Sequence, residues 1–262
     1  MITSSFNKVS VETNIALGNH MFQYSISRLV ALKNGCKFYV PYGEYISKCF
    51  PKIDLGVKDG ETQHRYFEDV SVQRYNPNIF NNGDFTELVG YFQTEKYFDG
   101  NEDLVKSWFE IELDDNVKKN LDKYSTENYC FIHIRGGDNR LSADNWLMPK
   151  SYYSQAMEEV KKIKNDISFV IVTDDVELSK EYFPEIDVIE YNDVATLDML
   201  MADFKSLYYS KYCIISGSTL SWWAAWLSDK TITIAPNNWL NYNSPEKGFY
   251  PVDIKSKKFI YI

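Results

Sequence analysis

The chain has 262 residues, 44% of them hydrophobic and 25% charged, with a formal net charge of −9. That length buries a core as one large domain or two small ones, and the acidic balance argues against a protein whose main work is neutralising a nucleic-acid backbone. No segment approaches the roughly 18 uninterrupted apolar residues of a membrane span, and the N-terminus MITSSFNKVSVETN has no apolar run of the secretory kind. The expectation is a cytoplasmic protein with no integral membrane segment and no nucleic-acid partner.

In chain order, KVSVET (8–13) predicts a strand, NIALGN (14–19) a turn, residues 20–34 a helix and CKFYV (36–40) a second strand. Residues 41–100 are rich in Asn, Asp, Gly and Tyr and read as loops, with LVGYF (88–92) as a strand, and the acidic run 101–124 reads as helices. From residue 128 short β-rich runs alternate with helical ones: YCFIHI (129–134), SYYSQAMEEVKKI (151–163), ISFVIVT (167–173), ELSKEYF (177–183), DVIEY (187–191), ATLDMLMADFKSL (195–207), YCIIS (212–216), STLSWWAAWLS (218–228) and KTITIAP (230–236). Buried strands separated by amphipathic helices are the pattern of a parallel α/β sheet with right-handed crossovers. A boundary near Ser125 divides an N-terminal domain, 1–125, from a C-terminal Rossmann-like domain, 126–262.

Ligands in such sheets gather at the carboxyl ends of the strands, which is where His133, Arg135, Thr173, Asp174 and Ser216 fall. His133 alternates with Ile132 and Ile134 and so shares a face with Arg135, while Gly136 and Gly137 let a ligand approach the backbone. Ser216, Gly217, Ser218 and Thr219 set short hydroxyls and backbone N–H groups at a helix N-terminus, a seat for phosphate; a plain N-cap fits Ser218 or Thr219 equally well. Gly18 and Asn19, in the turn before another helix, offer a second anion contact. Aromatic residues make up 16% of the chain; most fill the core, Trp222 and Trp226 on one helix face among them. The chain has three histidines, His20, His64 and His133, four scattered cysteines, Cys36, Cys49, Cys130 and Cys213, and no HxxxH or CxxC pair. Neither a protein-built metal site nor a cofactor is therefore expected, the chemistry being metal-free or using a metal brought by the substrate, and the cysteines read as buried thiols.

Six segments in order, LGNHMFQYSISRLVALKNG (17–35), GYFQTEKYF (90–98), HIRGGD (133–138), VTDD (172–175), ATLDMLMADFKSLYYSKYCIISGSTLSWWAAWL (195–227) and IAPNNW (234–239), resemble the family 11 α-1,2-fucosyltransferases. The resemblance covers most of the chain. It implies a GT-B-type α/β fold of two Rossmann-like domains facing a cleft, GDP-fucose as donor, and inverting, metal-independent transfer to the 2-hydroxyl of a galactose-type glycan acceptor, with the N-terminal domain on the acceptor side. The sequence departs from the family pattern at ALGNH for Gly-Leu-Gly-Asn-Gln, HIRGGD for HxRRGD, SGS for Ser-Asn-Ser and WWAAW for Trp-Trp-Gly-Ala-Trp. The missing second arginine takes one cation from the site, and Arg140 stands a little further along the same loop.

Under this resemblance Arg135 grips the diphosphate as negative charge builds on the leaving group, a task for a forked guanidinium; the alternative is an arginine paired with Asp138 or Asp174 for structure alone. His133 binds ribose or guanine. Asp198, a carboxylate among Leu and Met that must be paired, reads the two adjacent N–H donors of guanine, or else stabilises the start of its own helix. Asp174 contacts the GDP-sugar or caps the helix after its strand, and with Asp175 it does not form a DxD metal motif. Asp138 has the chemistry of a general base, a role that an advanced oxocarbenium centre can do without. Three alternatives stay open: another GDP-sugar or acceptor, a binding protein without catalysis, and a metal-dependent GT-A enzyme, the last disfavoured for want of a DxD.

Overall fold

The computed structural model describes residues 1–6, 16–141, 146–191, 196–248 and 250–262. The strand expected at KVSVET and the start of the turn after it lie outside these residues. The chain divides into two compact units, Met1–Ile111 with Pro251–Ser256, and Glu112–Tyr250 with Lys257–Ile262.

The first unit holds β1 (Ile2–Ser4), α1 (Leu17–Asn34), β2 (Phe38–Tyr39), α2 (Glu44–Cys49), β3 (His64–Phe67), β4 (Thr86–Val89) and α3 (Glu102–Ser107). Its strands pair in parallel in the order β2-β1-β4-β3. Helix α1 buries Met21, Phe22, Tyr24, Ile26, Leu29 and Val30 and stops at Gly35, whose φ of 63° and returning N–H form a left-handed cap. The 251–256 segment is tied in by Val252 N–H to the Val72 carbonyl (3.1 Å) and by Asp253, which accepts from Tyr75 N–H (2.7 Å) and Lys96 Nζ (2.6 Å).

The second unit holds α4 (Asp115–Lys123), β5 (Tyr129–Ile134), α5 (Lys150–Ile163), β6 (Ser168–Thr173), α6 (Val176–Tyr182), α7 (Thr196–Tyr209), β7 (Tyr212–Ile214), α8 (Thr219–Leu227), β8 (Ile232–Ala235) and β9 (Ile260–Tyr261). All its strand pairs are parallel, in the order β6-β5-β7-β8-β9. Each unit is thus a parallel α/β layer, as a GT-B-type chain requires. Alternation along β5 divides the core: Cys130, Ile132 and Ile134 pack with Tyr152, Tyr153, Ala156 and Val160 of α5, leaving His133 to the other face. Trp222, Trp223 and Trp226 are fully buried, Trp222 stacked on Trp226 with ring centroids 5.8 Å apart, so all three are core, as the spacing predicts for Trp222 and Trp226. The four cysteines are free thiols, three of them buried.

Three expectations shift. Helix α1 begins at Leu17, so Gly18 and Asn19 belong to its first turn and not to the turn before it. The strand expected at 88–92 runs over Thr86–Val89 and ends where Gly90 and Phe92 take positive φ (157° and 55°). DVIEY contributes only a one-residue parallel bridge, Val188 to Ile171, held by two hydrogen bonds of 2.8 Å on the outer edge of β6, where among the described residues it has a neighbour on one side alone.

Lys230 closes the end of α7: its ammonium donates to the carbonyls of Leu207, Tyr208 and Ser210, groups that a helix C-terminus leaves without partners. Lys230→Met keeps the stem and removes the donors. It is expected to destabilise the chain by about 2 kcal/mol in denaturant titration; a loss below about 0.5 kcal/mol, the usual range for surface changes, contradicts this role.

Candidate functional site

The carboxyl ends of β5, β6 and β7 are adjacent in the sheet, and each delivers a polar group to that edge. Arg135 follows β5 and forms an ion pair with Asp174, which follows β6. The same carboxylate accepts the Gly136 N–H (2.9 Å). Arginine and aspartate thus meet as the structural reading anticipates, and the pair leaves the Arg135 side chain 29% exposed. Asp175, beside it, is the N-cap of α6 and accepts from Leu178 N–H (2.9 Å). Capping therefore belongs to Asp175, and Asp174 is directed at the loop.

The two glycines after Arg135 are imposed by these carboxylates. A Cβ on Gly136 would lie 2.4 Å from Asp175 Cβ and Oδ2, and one on Gly137, whose φ is 35°, would lie 2.5 Å from Asp174 Oδ2. The loop continues as a short 3-10 helix, Gly137–Leu141. Asp138 belongs to it, but its side chain lies outside the described ones.

His133 is buried and its Nδ1 lies 2.9 Å from the hydroxyl of Ser216, just past the end of β7. Burial, with Arg135 adding to it, lowers its pKa from 6.5 to about 3, so the ring is neutral and offers one donor and one acceptor. Ser216 leads into α8 through Gly217. Ser218 is the N-cap residue of α8, yet its side chain makes no capping hydrogen bond, and the first turn carries no acid. The side-chain cap considered for Ser218 is therefore not made. Thr219 opens the helix.

Asp198 lies on the exposed first turn of α7, against a cavity shared with Asp114, Asp115 and Lys205, where Lys205 is already paired with Asp114 (2.7 Å). Being exposed, Asp198 does not need the partner that a carboxylate among buried Leu and Met would require. The carboxylate of α7 that turns inward is Asp203: burial pushes its pKa well up, the Asp174 charge adds to this, and the Tyr191 hydroxyl and Arg135 oppose it. Sequence reasoning passed over Asp203, although its neighbours Met201, Ala202 and Phe204, all buried, mark it as the acid on the apolar stretch.

In the first unit Gly18 is buried, and Asn19 accepts from Gln93 Nε2 through its side-chain oxygen (2.8 Å). Gln23 Nε2 donates to the Gly90 carbonyl (2.7 Å). The buried Glu68 carboxylate accepts from Tyr91 N–H (2.7 Å) and Phe92 N–H (3.0 Å), and burial raises its pKa. The GYFQTEKYF segment is in this way fastened to the start of α1, and the amide oxygen of Asn19 is already engaged.

Because the folded chain holds His133 near 3 against an ordinary 6.5, the unfolded chain takes up a proton that the folded one refuses. The His133 contribution to stability is complete above pH 6.5 and is lost as pH falls from 6.5 toward 3. Thermal midpoints of the wild type are expected to drop with acid over that window more steeply than those of His133→Gln; parallel slopes contradict a buried neutral ring.

A family model described as glycosyl transferase family 11 matches residues 2–262. The sequence is similar to an alpha-1,2-colitosyltransferase of Escherichia coli, at 28% identity over 274 residues covering 85% of this chain and 89% of that protein. It is also similar to the O-antigen biosynthesis glycosyltransferase WbnK of Escherichia coli, at 27% identity over 177 residues covering 61% of this chain and 57% of that protein. Among solved structures, a mutant of Arabidopsis thaliana FUT1 in complex with GDP superposes with a TM-score of 0.50 at 11% identity, covering 89% of this chain and 69% of that one, a likeness of fold alone. Among the described residues no helix is long and apolar enough to cross a membrane. With a match running nearly from end to end over two parallel α/β units, the chain belongs to glycosyl transferase family 11 and is a nucleotide-sugar-dependent glycosyltransferase.

Proposed function

We propose that the chain moves a 6-deoxyhexose of the fucose type from its GDP-activated form to the 2-hydroxyl of a galactose-type sugar on a glycan, with inversion and without a metal. The observation that carries this reading is the grouping of Arg135, His133, Ser216 and the N-terminus of α8 at one strand edge. A guanidinium and the positive end of a helix dipole, both fixed before the reaction, suit a diphosphate on which charge builds as the glycosidic bond breaks. His133, neutral and held by Ser216, presents Nε2 to the nucleoside.

Base recognition is assigned to Asp203 in preference to the exposed Asp198, because Asp203 lies within electrostatic reach of Arg135 and Asp174. A carboxylate that accepts from two adjacent N–H groups of guanine discriminates against bases lacking them. Gly18 and Asn19 are proposed as contacts from the first unit, which takes the acceptor side. Asp138, on the loop after Arg135, is the proposed acceptor of the sugar hydroxyl's proton, a demand that an oxocarbenium-like centre keeps small.

A second donor is favoured by the similarity to a protein named as an alpha-1,2-colitosyltransferase. Colitose is fucose without its 3-hydroxyl, so both donors carry the same departing diphosphate. The test is GDP release, with EDTA present, from the two GDP-sugars with and without a β-galactoside acceptor. Acceptor-dependent release from one of them is expected, and Arg135→Ala should lower kcat/KM by about a hundred- to thousandfold, the effect of removing a fixed donor to developing charge. Asp203→Asn should cut the preference for GDP over ADP while Asp198→Asn leaves it unchanged. Release that needs added divalent metal, or an Arg135→Ala variant as active as the wild type, contradicts the reading.

A further inference from the structure

Arg140 lies on the 3-10 helix that follows the two glycines, and its guanidinium spans both oxygens of Asp175, Nη1 standing 3.3 Å from Oδ1 and 3.2 Å from Oδ2. Its Nη2 lies 3.5 Å from Glu181 on α6. Asp175 is not free to move away. One of its oxygens accepts from Leu178 N–H (2.9 Å), its own N–H donates to Thr173 Oγ1 (2.9 Å), and that hydroxyl donates to the Ile134 carbonyl (2.7 Å). The side chain is 12% exposed and fills the space that any side chain at position 136 would need.

These contacts pin a carboxylate next to the loop on which Arg135 is presented. Charged side chains described around that loop include Arg135, Asp174, Asp175, Arg140 and Glu181, and α7 adds Asp203, whose carboxyl burial shifts toward its neutral form. Without Arg140 a lone guanidinium would face Asp174 and Asp175 together, a field hostile to a phosphate. No cation can be supplied at position 136, because Asp175 occupies its place.

We propose that Arg140 is a positioning residue of the donor site, one that acts through Asp175: it cancels the charge of the carboxylate that caps α6 and so allows an anionic diphosphate to reach Arg135. This rests on the GDP-sugar reading of the same site. The effect falls on phosphate-bearing ligands alone, since a nucleoside without phosphate carries no charge for Asp175 to repel.

The test compares GDP and guanosine binding by calorimetry in the wild type, Arg140→Gln and the double variant Arg140→Gln/Asp175→Asn, in which asparagine retains the helix cap. Arg140→Gln is expected to weaken GDP by roughly three- to tenfold, a partly screened loss of one neighbouring charge, and to leave guanosine unchanged. Asp175→Asn in that background should restore GDP affinity, and Arg140→Lys should retain most of it. Equal weakening of GDP and guanosine, which a merely structural role would produce, or no rescue by Asp175→Asn, overturns the proposal. A wild type that binds guanosine and GDP equally well refutes the diphosphate reading itself and this inference with it, whereas a wild type that prefers GDP, joined to a silent Arg140→Gln, refutes the inference alone.

Discussion

The ion pair between Arg135 and Asp174 is the contact on which the candidate site turns. A parallel sheet places the ends of β5 and β6 side by side, and whatever residues follow them must share that small region. Here one end brings a guanidinium and the next brings two carboxylates. Asp174 takes the guanidinium and the following N–H, and Asp175 turns back to cap α6. The glycines at 136 and 137 follow from that crowding, because a side chain at either would collide with an aspartate. The composition of the loop, its bend and the direction in which Arg135 points therefore come from one steric and electrostatic constraint.

That constraint also bears on the role proposed for Arg135. The guanidinium is paired with Asp174 and keeps part of its surface open. In the proposed reading a diphosphate competes with the Asp174 carboxylate for this guanidinium because it accepts in two places at once. Under the same reading His133, on β5 itself, and the start of α8, which follows β7, would meet the uncharged and the anionic parts of one ligand.

Much of the second unit was legible in the sequence, because its strands are short, apolar and separated by helices whose faces repeat at helical spacing. YCFIHI, ISFVIVT and the tryptophan helix all stand where the periodicity puts them, and the alternation of His133 with two isoleucines translates directly into opposite faces of the sheet. What escaped was of two kinds. The edge segment DVIEY has a strand's composition but only one neighbour, and its pairing shrinks to a bridge, a tertiary circumstance that local preference does not encode. Asp198 and Asp203 are both acids in an apolar run, and only the rotation of α7 against the sheet tells which is turned inward. The return of residues 251–256 to the first unit was equally invisible, since it rests on Asp253 meeting Tyr75 and Lys96 from distant parts of the chain.

The central claim is that the edge formed by β5, β6 and β7 holds a nucleoside diphosphate. A crystal structure of the chain with GDP tests it most directly. The account predicts phosphate oxygens within hydrogen-bonding distance of the Arg135 guanidinium and the N-terminal N–H groups of α8, with the nucleoside beside His133. Diphosphate bound elsewhere, with the Arg135–Asp174 pair undisturbed and no ligand atom near it, would contradict the account.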